Sequence, residues 1–158
     1  MKTHTPLAAL ACLLLGLLLA ACVPKTGELQ PPAIAYGQDL CEACGMLIDQ
    51  PQLAAATIGM DGTARKFDEV GDMVQYHAEH PTEQVQAWFV HDYNTKAWLR
   101  AEAAFFAYRP GLSTPMGHGL AAFETEAGAR AFAAQMNVEV LSFDEARAAM
   151  HAMEHADH

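Results

Sequence analysis

The strongest constraint on the fold is a strand–strand–helix–strand pattern that the chain carries twice. In the first copy, the largely apolar segment LAAATIGM (53–60) and the segment TARKF (63–67) flank Asp61-Gly62. Asp-Gly between two strand-like segments is the strongest short signal for a β-hairpin, because its turn needs residues that tolerate positive φ. The first two strands are therefore predicted to be antiparallel neighbours.

A helix and a third strand complete the first copy. Asp68 follows the hairpin directly and is a suitable N-cap for a helix that runs to about His80, with apolar residues at helical spacing. The β-branched and aromatic segment VQAWFVHDY (85–93) then predicts a strand.

The same order of elements follows in the second half of the chain, where Phe123 stands at a strand-to-helix junction like that of Phe67. The predicted elements are one strand or two short ones within 96–109, a strand at 118–124, a helix capped by Thr125 with Phe132 and Met136 facing inward, a strand at 138–143, and a C-terminal helix with a Met/His tail at 144–158. Neither copy is long enough to bury a core alone. We therefore expect an α+β fold in which two ββαβ units, at about 38–94 and 95–143, pack together.

The first 21 residues have the features of a bacterial lipoprotein signal peptide. Lys2 precedes an apolar run at 7–19, which is shorter than the roughly 20 residues that a membrane-spanning helix needs. The run ends in LAAC (19–22), which resembles a lipobox, so Cys22 is predicted to carry lipid after cleavage. An ordinary signal peptide and a retained transmembrane helix are the alternatives. The lipoprotein interpretation places the chain on a membrane facing the periplasm, and Val23 after the cysteine favours the outer membrane.

Charge and composition narrow the partners of the mature chain. Residues 22–37 hold several Pro and Gly without a periodic apolar pattern, so they are predicted to form an extended tether. The formal net charge of −10 argues against nucleic acid and against an anionic membrane surface as partners. Anchoring to the membrane is therefore expected through the lipid.

The hexapeptide CEACGM (41–46) carries the thiols that remain after processing, Cys41 and Cys44. In an oxidising compartment they can form a disulfide. They can also be half of a zinc site, a redox couple or part of a copper site, and their spacing alone leaves these four alternatives open. A redox couple requires a helix that starts at the first cysteine, which the Pro-rich lead-in and Gly45 disfavour.

Methionine and histidine near these thiols favour copper. Met46 adds a thioether, a donor that suits soft Cu(I) better than Zn²⁺. Met116 and His118 stand in the loop TPMGHG (114–119), where Pro and Gly predict an exposed turn. Cys41, Cys44, Met46, Met116 and His118 are therefore the candidate metal ligands.

The C-terminal segment MHAMEHADH (150–158) is rich in the same donors. Its methionines and histidines can gather copper loosely, or they can form a solvated helix end. The sequence alone leaves both interpretations open.

Cys44-Gly45-Met46, Phe67-Asp68 and the run from Met116-Gly117 to Phe123 resemble the NosL family of lipoproteins, over about residues 38–143. The resemblance implies two ββαβ units related to those of organomercurial lyase, and a copper site at Cys44, Met46 and Met116. It implies a Cu(I) chaperone, not an enzyme, that serves the nitrous oxide reductase assembly machinery. The alternative is a thiol-dependent enzyme, either an organometal lyase or a disulfide oxidoreductase, that uses Cys41 and Cys44. The acidic neighbours of Cys41 disfavour this alternative, because negative charge raises the pKa of a thiol.

Overall fold

The computed structural model describes residues 27–109 and 111–154, with the side chain of residue 154 left out. Residues 31–158 form one compact unit, which contains every helix and strand given below. The predicted signal peptide and Cys22 lie outside the described residues. Within the described ranges, no helix is long and apolar enough to cross a membrane.

The first sheet is built around the predicted hairpin. Its strands and the helix that follows the hairpin are β1 (Ala55–Gly59), β2 (Ala64–Phe67), α1 (Val70–Glu79), β3 (Val85–His91) and β4 (Trp98–Arg100). The strand order is β2-β1-β3-β4, and every neighbouring pair is antiparallel. The predicted hairpin is present, but its loop is longer than a two-residue turn, because the ladder ends at the pair Ile58 and Ala64. Gly62 has a φ of 82°, whereas Asp61 has no positive φ.

The second sheet repeats the arrangement of strands β1, β2 and β3 of the first sheet. A short 3₁₀ turn (Ala101–Ala103) leads to β5 (Phe105–Tyr108), β6 (Leu120–Phe123), α2 (Glu126–Met136), β7 (Glu139–Leu141) and the terminal helix α3 (Phe143–Glu154). Its order is β6-β5-β7, which matches β2-β1-β3 of the first sheet. The predicted α+β fold with two ββαβ units is confirmed. The segment 96–109 contains two short strands, and the first of them, β4, extends the first sheet.

The two helix starts differ in how well they match the prediction. Thr125 caps α2 as expected, since its Oγ1 accepts a hydrogen bond from the backbone N–H of Gly128 at 3.1 Å. The prediction that Asp68 caps α1 is wrong, because the N-cap is Glu69 and its side chain makes no capping bond. Instead, Asp68 is buried with its carboxylate next to a cysteine thiol.

Both sheets contribute to one hydrophobic core, which also includes residues from α1 and α3. The connection between them is reinforced at Asp92, directly after β3, which forms a parallel bridge with Ala122 of β6. One carboxylate oxygen of Asp92 accepts the backbone N–H of Thr95 at 2.7 Å, and the other accepts the N–H of Glu124 at 2.8 Å. A single buried carboxylate therefore closes its own turn and holds the second sheet.

Candidate metal centre

The segment 41–46 forms a tight turn on the edge of the first sheet. The backbone N–H of Gly45 donates to the carbonyl of Cys41 at 2.9 Å, and Gly45 has the positive φ of 72° that such a turn favours. An antiparallel bridge between Leu40 and Leu47 closes the base of the turn. The turn rests on β2, where the N–H of Glu42 donates to the carbonyl of Lys66 at 2.9 Å. This backbone is a turn and not the start of a helix, so the requirement for a thioredoxin-like couple is not met.

Two aspartates lie beside the two thiols. Cys41 Sγ donates to Asp72 Oδ2 at 3.3 Å, and Cys44 Sγ is 3.5 Å from Asp68 Oδ2. One ligand atom from each of the four residues lies within 4.8 Å of the others, which is close enough to surround a single ion. Cys41 is 3% exposed, whereas Cys44 is half-buried, so the cluster is reached from the side of Cys44. Both cysteines are free thiols.

The beginning of α1 supplies the acidic half of the cluster. Asp68 and Glu69 directly precede the helix, and Asp72 lies in its first turn. The positive end of the helix dipole stabilises negative charge here. Asp68 and Glu69 are each only 1% exposed, yet Asp68 Oδ1 and Glu69 Oε2 have no hydrogen-bond partner among the described residues. Buried carboxylate oxygens that are left unpaired are costly, so these two atoms fit a site that accepts a cation.

His118 brings the loop at 114–119 next to the acidic residues at the start of α1. Its Nδ1 contacts the carboxylate of Glu69 and lies 3.2 Å from Asp72 Oδ1, while its Nε2 lies 3.1 Å from Gln75 Oε1. The loop can approach this closely because α1 has glycine at position 71, against which His118 packs. Asp72 therefore touches both predicted motifs, through Cys41 on one side and His118 on the other.

Burial determines the protonation of the two thiols. Burial raises the pKa of Cys41 far above its usual value. Burial also raises the pKa of Cys44, and the charge of Asp72 adds to this effect. Both thiols therefore hold their protons at neutral pH in the metal-free protein, and a metal that binds them must displace these protons.

The pKa values of Asp68 and His118 are raised, whereas the pKa of Asp72 is lowered. Burial raises the pKa of Asp68. Burial alone would raise the pKa of Asp72 as well, but the interaction with His118, followed by those with the neighbouring thiols, outweighs it and holds this pKa below its usual range. The hydrogen bond to Asp72, followed by the one to Glu69, raises the pKa of His118 to about 9. Without metal, His118 is therefore an imidazolium ion paired with two carboxylates.

The two candidate methionines lie at the surface of the same loops. Met46 is 48% exposed and Met116 is 47% exposed, so both side chains are available to a ligand from solvent. The carbonyl of Met46 accepts the N–H of Cys41 at 2.8 Å, which places Met46 at the end of the thiol turn. Of the five predicted ligands, the structure brings Cys41, Cys44 and His118 into one connected cluster. The ligand roles of Met46 and Met116 stay predictions.

Sequence reasoning missed the three acidic residues of the site. The sequence pattern predicts Asp68 to be a helix cap and indicates no role for Glu69 or Asp72. A signal was present, since Asp68 and Asp72 are four residues apart, the spacing that puts side chains on one face of a helix. The spacing alone does not indicate a metal site, because acidic residues at a helix start are common for reasons of capping and dipole alone.

The cluster offers two kinds of donor that share Asp72. Cys41, Cys44, Asp68 and Asp72 form one set that can hold a metal ion, and Glu69, Asp72 and His118 form another. Thiolates suit soft ions such as Cu(I), whereas a carboxylate–imidazole set suits harder divalent ions. Chemically, the site can therefore capture a soft cation at its outer, thiol side and neutralise positive charge at its inner, acidic side.

Comparisons with known proteins agree with the sequence resemblance. The NosL family model matches residues 32–151. A relative from Stutzerimonas stutzeri, described as "Copper-binding lipoprotein NosL", is 28% identical over 148 residues, which covers 84% of this chain and 77% of the relative. A crystal structure of "the copper chaperone NosL" from Shewanella denitrificans superposes with a TM-score of 0.66 at 22% identity, over 75% of this chain and 96% of the other. At that identity, the structural match establishes the fold alone.

Proposed function

The chain belongs to the NosL family, and on this premise we propose that it is a lipoprotein that binds Cu(I) and delivers it for the assembly of nitrous oxide reductase. The observation that carries the copper proposal is the pair of free thiols, Cys41 and Cys44, in a surface turn beside two buried aspartates. The relative from Stutzerimonas stutzeri is named as copper-binding, which supports the same ion.

Soft donors at the entrance of the site determine which ion is preferred. Cys44 is partly exposed, and the thioether-bearing Met46 ends the same turn. Sulfur donors favour Cu(I) over Zn²⁺, and most clearly when thioethers take part. In this proposal Met116, on the loop of His118, supplies a further thioether to the ion.

The accessibility of the thioethers suits a protein that gives its ion away. Cu(I) accepts few ligands, and it exchanges between proteins when an incoming sulfur can reach it. Met46 and Met116 are each about half exposed, so a partner can approach the ion from that side. Cys41 is the buried thiol and holds the ion from the inner side.

The protonation of the thiols argues against the enzymatic alternative. An organometal lyase or disulfide oxidoreductase needs a thiolate of low pKa. Burial raises the pKa of both Cys41 and Cys44 instead. We therefore propose that the chain is a carrier and not an enzyme.

The membrane anchor is a separate part of the proposal. Cys22, in the segment LAAC (19–22), is proposed to be the lipidated residue that holds the protein on a membrane facing the periplasm. Val23, the residue after the cysteine, favours the outer membrane, which membrane fractionation tests. The relative from Stutzerimonas stutzeri is named a lipoprotein, which supports the anchor. Cys22→Ala should release the protein from the membrane fraction, and retention through an uncleaved apolar segment would contradict this.

An anaerobic Cu(I) titration against a chromophoric chelator tests the copper site. We expect Cys44→Ser to remove most of the affinity and Cys41→Ser to remove less, with the double variant worst. Met60→Leu is the matched control, because Met60 is 62% exposed and lies in the hairpin of the first sheet rather than in either motif. Unchanged affinity in the double cysteine variant would overturn the proposal.

The delivery step needs a test in cells. A deletion strain grown under copper limitation should make nitrous oxide reductase that lacks copper, and the wild-type gene should restore its copper content. The Cys44→Ser gene should fail to restore it. Full copper content of the reductase in the deletion strain would refute the delivery role while leaving copper binding intact.

A further inference from the structure

A second set of soft donors lies between α1 and α3, outside the turn at 41–46 that carries the two thiols. These helices enclose a pocket of about 100 Å³. Val74, Gln75 and Ala78 of α1 form one wall, and Met150, His151 and Met153 of α3 form the other. His118 closes the pocket on the side of the thiol–acid cluster, which is the group formed by Cys41, Cys44, Asp68, Glu69 and Asp72.

The donors on α3 combine thioethers with an imidazole. Met150 is buried in the core, Met153 is partly buried, and His151 is exposed, so the pocket opens towards solvent on the side of His151. The hydroxyl of Tyr108 donates to Met153 Sδ at 2.9 Å. This bond orients the thioether and leaves its second lone pair for another partner.

The chemistry of this pocket differs from that of the neighbouring cluster. None of the described residues that line it is acidic, whereas the cluster beyond His118 contains three carboxylates. Imidazole binds both copper and Zn²⁺, but thioethers bind Cu(I) and give little to Zn²⁺ or Ca²⁺. Two thioethers with one imidazole therefore favour Cu(I). His118 separates the two sites, with Nδ1 towards Glu69 and Asp72 and Nε2 towards Gln75.

We infer that Met150, His151 and Met153 form a second Cu(I) site, next to the thiol site and independent of its cysteines. The inference rests on the proposed function only for the identity of the ion. It gives the Met/His segment at the end of the chain a role in copper binding. An ion held there by neutral donors lies one histidine away from the thiol–acid cluster.

The number of Cu(I) ions bound per chain tests this inference. The full chain, purified in mild detergent with Cys12→Ser and Cys22→Ser as the reference background, is reduced and titrated anaerobically against bicinchoninate. The reference chain should bind about two equivalents, and both C41S/C44S and H151N/M153L should bind about one. M60L/H80N is the matched control, because it removes an exposed methionine and an exposed histidine elsewhere in the chain and should keep both equivalents.

The possible outcomes separate the two sites. If C41S/C44S binds no Cu(I), or if H151N/M153L keeps both equivalents, the second site does not exist. If the reference chain binds a single equivalent that only H151N/M153L removes, the second site stands and the proposed thiol site fails.

Methyl NMR provides a measurement that does not depend on the fold of the α3 variant. In C41S/C44S with ¹³C-labelled methionine methyl groups, one equivalent of Cu(I) should shift the resonances of Met150 and Met153. The resonance of Met60 should stay in place. Shifts confined to Met46 and Met116 would assign the remaining ion to the surface loops and overturn the inference.

Discussion

Gly71 is a position where one added methyl group should disturb the site directly. An added Cβ would lie 2.2 Å from His118 Cβ, 2.3 Å from its Cγ and 2.6 Å from its Nδ1. Ordinary carbon–carbon contacts are roughly 3.5–4.0 Å, so Gly71→Ala must displace His118 by more than ~1 Å. The clash involves the Cβ of His118, so a change of rotamer cannot relieve it.

Two opposing terms determine the size of the effect. Alanine is a better helix former than glycine by about 1 kcal/mol. Overpacking costs about 1–3 kcal/mol, and a weakened charge-assisted bond from His118 to Asp72 adds about 1.5–3 kcal/mol. We therefore expect Gly71→Ala to lower the free energy of unfolding by roughly 1.5–5 kcal/mol, since the costs exceed the gain in helix propensity.

Urea denaturation followed by circular dichroism measures this difference. Gly128→Ala is the matched control, because Gly128 lies near the start of α2 and its added Cβ would meet Thr125 Oγ1 at 3.2 Å and Phe123 Cδ1 at 3.6 Å. It should be neutral or slightly stabilising. His118→Gly removes the clashing Cβ, so G71A/H118G should be more stable than the sum of the two single changes implies. Additive effects, or a Gly71→Ala chain as stable as Gly128→Ala, would refute the steric argument.

Three other substitutions test contacts that stabilise the fold around the site. Asp92→Ala removes the carboxylate that accepts the N–H of Glu124, and should lower the free energy of unfolding in a urea titration by about 3 kcal/mol; a loss below ~1 kcal/mol would contradict its connecting role. Burial lowers the pKa of His77 to about 4, below its unfolded value of 6.5, so it contributes stability that is lost as pH falls from 6.5 towards 4. His77→Gln should weaken that pH dependence in urea midpoints measured across this range, and an unchanged slope would count against it. Thr125→Ala removes the cap bond to Gly128 and should cost about 1 kcal/mol in the same assay, whereas Thr125→Ser should cost little.

Turn and cap residues made the elements predictable because their effects are local. Asp61-Gly62 lies in the loop of the predicted hairpin, and Thr125 caps α2 through a bond to a residue only three positions away. Such signals need no knowledge of the rest of the chain. Asp68 shows the limit of this reasoning. It stands at the same kind of strand-to-helix junction as Thr125, but it accepts a hydrogen bond from the thiol of Cys44 and does not cap the helix.

The membership of β4 in the first sheet could not be predicted from its position. Trp98–Arg100 follows the predicted boundary between the units, but it pairs with β3. A three-residue strand has too little local preference to select its partner, and the pairing is decided by the edge that β3 leaves open.

The amino-acid sequence by itself determined the two ββαβ units, the turn that carries Cys41 and Cys44, and the soft donors that favour copper. Only the tertiary structure decided that Asp68, Glu69 and Asp72 belong to the site and that His118 joins them from a loop about fifty residues away in the chain. The physical reason is that turns and caps depend on contacts between near neighbours. A site of buried acids, thiols and an imidazole depends instead on close packing, here on the absence of a Cβ at Gly71 that lets the loop of His118 reach α1.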